Sequence, residues 1–172
     1  MEEAKLDDEV KGWLEKIKQV KDGSVDLSRD EDLSIALMNL ISIEEHLYFS
    51  AMKTDGQHYL ELLNSVRHLR TKLLGRMVTD PKGEEWCISK HLLAASMRLI
   101  EVGTKELAKG EKASANGYFK AGFELYSLFF AINLRMMQPD KLAQPKGDKT
   151  PAGTKERFSA IMKKILDCCK EW

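Results

Sequence analysis

Residues 84–137 read EEWCISKHLLAASMRLIEVGTKELAKGEKASANGYFKAGFELYSLFFAINLRMM, and this stretch decides the fold. It contains no proline, and its apolar residues recur at helical spacing on both sides of Gly110. The spacing predicts a helix over about Glu84–Lys109 and a second over about Lys112–Met137, with Gly110 in the turn between them. The first is apolar on most of its circumference: Trp86, Ile88, Leu92, Leu93, Ala95, Met97, Leu99, Ile100, Val102 and Leu107. Such a helix is expected at the centre of a bundle. The second carries Tyr118, Phe119, Phe123, Leu125, Tyr126, Phe129, Phe130 and Ile132, and Gln138-Pro139 is expected to stop it. These aromatics are interleaved with small residues, the pattern of a packed core first and of a groove for an apolar ligand or partner helix second.

Upstream, three more helices are expected. Leu6, Val10, Trp13, Leu14, Ile17 and Val20 form a first amphipathic stripe, ended by Asp22-Gly23-Ser24. Ser28-Arg29-Asp30-Glu31 has the form of a capping box and opens a helix that runs to about Lys53. Thr54-Asp55-Gly56 breaks that helix, and the next carries Tyr59, Leu62, Leu63, Val66, Leu69, Leu73 and Met77. Pro81 is expected near the first turn of the helix that follows, where a missing N–H costs nothing. Downstream, residues 139–153 are rich in Pro, Lys and Gly and are expected to be a flexible linker. A C-terminal amphipathic helix is predicted over 154–172, on Phe158, Ile161, Met162, Ile165, Cys169 and Trp172. No period-two strand pattern occurs. The fold class is therefore all-α: an antiparallel helical bundle of about five helices over residues 1–138, plus the tethered C-terminal helix.

Bulk composition narrows the function. The 172 residues carry 27 Lys and Arg against 27 Asp and Glu, a formal net charge of zero. Strong binding to nucleic acid or to an anionic membrane draws on a basic surplus, so neither is favoured. Cys87, Cys168 and Cys169 are odd in number, and two are adjacent, which implies no disulfide framework. Met1-Glu2-Glu3 opens acidic with no apolar leader behind it, so the cytoplasm is the expected compartment. The longest apolar run, Leu125 to Leu134, is too short to span a bilayer.

The hairpin of 84–137 resembles a single tetratricopeptide repeat. The offsets of that repeat fall here on Leu99, Val102-Gly103, Glu106, Ala115, Phe119 and Ser127. Gly103 and Ala115 would let two helices approach closely, with Phe119 filling the gap. Glu106 stands where the repeat has an aromatic, and Ser127 where it has a proline. The resemblance covers about 30 residues and implies a protein-binding scaffold. Residues 83–93, GEEWCISKHLL, also resemble a stretch in uncharacterised small helical proteins of archaea and little-studied bacteria, which carries no mechanism with it.

Several polar residues are candidates for a site. The stripe Leu33, Leu37, Leu40, Glu44, Leu47, Ala51 turns Glu44 inward, where a carboxylate either pairs with a neighbouring Arg or Lys or acts as a base or metal ligand. Cys87 and His91, four residues apart, share a face and could supply half of a zinc site. Arg98 and Glu101 continue that face, so an acid/base or metal-dependent site could combine Glu44 with His91, Arg98 and Glu101. Glu-x-x-His, the di-iron bundle motif, is absent. None of Arg29, Arg67, Arg70, Arg76 and Arg98 precedes a His by four to six residues, as in helical ribonucleases of the HEPN type. Arg67, Arg70, Lys72 and Arg76 could meet phosphates, although a charged solvated face accounts for them as simply. No catalytic or cofactor motif stands out. The leading expectation is a non-enzymatic protein-interaction module that self-associates or captures a protein partner, with no cofactor. The alternatives are a metal-dependent or acid/base enzyme and an RNA-binding bundle.

Overall fold

A computed structural model describes residues 27–135. They form four α-helices: α1 (Ser28–Thr54), α2 (Gln57–Met77), α3 (Glu85–Ala108) and α4 (Lys112–Asn133). These are the second to fifth of the predicted helices, and no strand occurs among the described residues. The first predicted helix, the linker and the C-terminal helix lie outside the described residues.

The breaks fall where the turn chemistry puts them, with three corrections. Asp55 takes the left-handed conformation at φ 52° and Gly110 at φ 84°, which ends α1 and separates α3 from α4. A short polar side chain tolerates that region, and glycine enters it without strain. The capping box is the first correction. Ser28 is already helical, and the first turn closes from the Glu31 N–H to the Leu27 carbonyl at 2.8 Å. The second concerns Pro81, which lies in the loop before α3 rather than in its first turn. Instead the Glu85 carboxylate reaches back to accept the Lys82 N–H at 2.9 Å. The third is the end of α4, at Asn133, ahead of Gln138-Pro139. Arg135 is left-handed at φ 56°, held by Glu85 at 2.7 Å and by the carbonyls of Thr79 and Asp80 at 2.9 and 2.7 Å.

The helices pair as two hairpins, α1 with α2 and α3 with α4, and α1 touches α3 across the gap. Close approach in the α3–α4 hairpin depends on glycine. A Cβ on Gly103 would lie 2.6 Å from the Phe119 ring and 3.2 Å from the Ala115 carbonyl oxygen. A Cβ on Gly122 would lie 3.2 Å from the Ser96 carbonyl oxygen. The Ser96 hydroxyl uses the same proximity to donate to the Gly122 carbonyl at 2.8 Å.

The two hairpins share one core, formed by Leu27, Leu37, Met38, Leu74, Val78, Leu93, Phe129, Phe130 and Ala131. All of these lie toward the end where α1 and α3 begin and α2 and α4 finish. Buried serines lie on its flanks and are satisfied. Ser34 donates to the Glu31 carbonyl at 2.6 Å and accepts from the Tyr126 hydroxyl at 2.5 Å. Ser127 donates to the Phe123 carbonyl at 2.7 Å, and Ser89 accepts from Asn133 at 3.1 Å. The most enclosed helix is α4 near its C terminus, not α3 as the apolar circumference suggested. On α3, Ile100, Val102 and Leu107 are exposed. No helix among the described residues is long and apolar enough to cross a membrane.

Candidate functional site

At the opposite end, marked by the turns at Asp55-Gly56 and Gly110, the hairpins no longer cover each other. An open groove of about 810 Å³ lies between α1 and α3 there. Asn39, Ser42, Ile43, Glu45, His46, Leu47, Tyr48 and Phe49 of α1 line one wall, and Arg98 and Glu101 of α3 line the other. Tyr48, Phe49 and Met52 are 48%, 56% and 55% exposed, high values for large apolar side chains that neighbour one another. The Tyr48 and Phe49 rings meet edge to face with centroids 5.3 Å apart.

Two successive carboxylates on α1 organise the polar contacts around this groove. Residues one apart on a helix point about 100° apart, so Glu44 and Glu45 address different neighbours. Glu44 turns to α2. It accepts from Arg70 Nε at 2.7 Å and Nη2 at 3.2 Å, and from Arg67 Nε at 3.3 Å. The Glu44 and Arg70 side chains are only 12% and 7% exposed, whereas Arg67 is largely in solvent. Burial pushes the Glu44 carboxyl up, but the hydrogen bonds and charges of Arg70 and then Arg67 outweigh it and hold the group below its ordinary value.

Glu45 turns to α3 and forms an ion pair with Arg98. Arg98 also donates to Glu101 at 2.6 Å and to the Ser42 hydroxyl at 3.2 Å. This cluster is the polar floor where the hairpins part. Its members are partly exposed, so each pair contributes on the order of 0.2–1 kcal/mol.

The residues singled out from sequence are therefore divided. Arg98 and Glu101 come together, with Glu45 rather than Glu44 as their partner from α1. Glu44 is instead clamped by two of the basic residues considered for phosphate contact, Arg67 and Arg70. Lys72 and Arg76 are exposed on another side of α2, since the steps from Arg70 to Lys72 and Arg76 turn the helix by about 200° and 240°. Cys87 and His91 are exposed on α3. No group of three His, Cys, Asp or Glu side chains positioned to hold a metal ion occurs among the described residues.

Tyr48, Phe49 and Met52 did not stand out in the sequence. A signal was present for Phe49 and Met52, which are large and apolar yet lie more than about 90° from the centre of the stripe Leu33–Leu37–Leu40–Leu47, whereas Tyr48 falls within about 20° of Leu37. Comparison with known protein families, with characterised proteins and with solved structures finds no match to this chain.

Proposed function

We propose that the chain is a non-enzymatic protein-interaction module, and that its docking surface is the groove between the two hairpins. The observation that carries the reading is the exposed pair Tyr48 and Phe49 lining that groove, with exposed Met52 about one turn further along α1. Aromatic and Met side chains at the mouth of a concave site are the usual anchors of a protein contact. The polar floor of Glu45, Arg98 and Glu101 would orient what enters, and an apolar helical segment fits the shape best. In the absence of another partner, the groove pairs with that of a second copy.

The acid/base alternative draws less support. A carboxylate held below its ordinary pKa by two arginines is a weak base. The RNA-binding alternative draws less as well, because Arg70 is committed to Glu44 inside the α1–α2 interface.

Native mass spectrometry and sedimentation of the full chain test the proposal. A dimer that becomes monomeric in the double variant Tyr48→Ser, Phe49→Ser, with unchanged helicity and Tm, is the expected result. A parent chain that stays monomeric up to its highest soluble concentration would overturn it, as would a dimer indifferent to both substitutions.

A further inference from the structure

The last turn of α4 is buried on all sides. Phe129, Phe130, Ala131 and Ile132 are 0%, 1%, 0% and 1% exposed. Four successive residues sweep about 300° of a helix, so this turn is enclosed all round. The core of α1–α4 accounts for Phe129, Phe130 and Ala131, but Ile132 does not belong to that core. Ile132 continues a stripe about 80° round α4 from the face that Gly122 and Asn133 turn to α3. Tyr118, Ala121 and Leu125 precede it at helical spacing, and Ala121 and Leu125 are half-buried.

We propose that this outer stripe of α4 is the seat of the chain's own residues Leu6–Val20. Two observations favour that occupant, and neither rests on the groove described above. The first is the tether. Leu27 belongs to the same core cluster as Phe130 and Ala131, and α1 lies against α4 there through Ser34 and Tyr126. Only residues 21–26 separate Leu27 from Val20, a reach of about 20 Å, enough to turn the chain back alongside. The C-terminal stripe, by contrast, starts at Phe158, beyond residues 136–157, and closing that longer loop costs more entropy.

The second is length. A segment antiparallel to α1 runs parallel to α4. The stripe Leu6–Val20 is about 21 Å long as a helix, the same as Tyr118–Ile132. With Val20 level with Ile132, Trp13 falls level with Leu125 and Leu6 with Tyr118.

Hydrogen exchange on the full chain, read by mass spectrometry, tests the seat. Residues 6–20 are expected to be protected, and Leu125→Asp is expected to cut that protection at least roughly tenfold while residues 90–105 keep theirs. Trp13→Asp, which leaves the four helices untouched, should cause the same loss and also speed exchange at 121–132. Unprotected residues 6–20 in the parent, or protection indifferent to Trp13→Asp, overturns the proposal. So does loss of protection at 158–172 instead, which would assign the seat to the C-terminal segment. Protection at 6–20 that rises with protein concentration would assign it to a second copy and overturn it equally.

Discussion

The two ends of this bundle are built on different terms. At the end where α4 finishes, both hairpins contribute large side chains to one core, and Arg135 ties the α2–α3 loop to the start of α3 through Glu85. At the end where α1 turns into α2, each hairpin closes only on itself. The buried residues there, Ala51, Gly103 and Ala115, are small, and the large ones, Tyr48, Phe49, Met52 and Leu107, face outward. The same chain thus spends its aromatics on stability at one end and leaves them available at the other. Stability and docking can then vary independently, because residues far apart with no shared partner couple little.

The sharpest break of the comparison is at the closed end. Phe130→Ala removes a fully buried ring from the shared core, and a loss of about 3–5 kcal/mol in chemical denaturation is expected. A smaller loss would mean that the ends are more alike than their burial indicates.

Next comes the α1–α2 ion pair. Arg70→Met leaves Glu44 partly buried with only the exposed Arg67, and about 2–3 kcal/mol should be lost at neutral pH. The pair also has a pH signature. The folded pKa of Glu44 lies below its ordinary value of 4.5, so its contribution is fully present above that value. It is lost as pH falls through the depressed folded pKa. Glu44→Gln should therefore flatten the acid limb of a Tm-versus-pH curve below about pH 4.5. An acid limb that persists unchanged in that variant would assign it to other carboxylates.

At the hairpin contact nearer the open end, Gly103→Ala gains helix propensity but drives a methyl into the Phe119 ring and toward a backbone carbonyl. The expected net loss is about 1–2 kcal/mol by thermal unfolding. A gain in stability would show that Phe119 can rotate away. The smallest effect on stability sharpens the comparison most. Phe49→Ser at the open rim should change stability by less than about 0.5 kcal/mol, because the ring is mostly in solvent. Any larger loss would mean that the rim belongs to the core.

Helix positions were legible because each rests on local chemistry. The 3.6-residue period placed α1 to α4 within a few residues, and Asp55 and Gly110 marked two of the breaks. The inward turn of Glu44 was legible too, since an apolar stripe interrupted by one carboxylate points that carboxylate at a neighbour. Which neighbour was not legible. Glu44 meets Arg67 and Arg70, and Glu45 meets Arg98, because α1 lies between α2 and α3, and a sequence period does not say which helix lies on which side. The same ignorance misplaced the centre of the bundle. The apolar circumference of α3 suggested enclosure, but enclosure is a property of neighbours, and they surround the end of α4.

By itself, then, the sequence determined an all-helical fold for the described residues, its turns and the helical face on which each side chain lies, since backbone propensity and periodicity act over a few residues. Only the tertiary structure decided that the hairpins meet at one end and part at the other. That outcome depends on contacts between residues as distant in sequence as Ser34 and Tyr126 or Glu85 and Arg135, which no local pattern encodes.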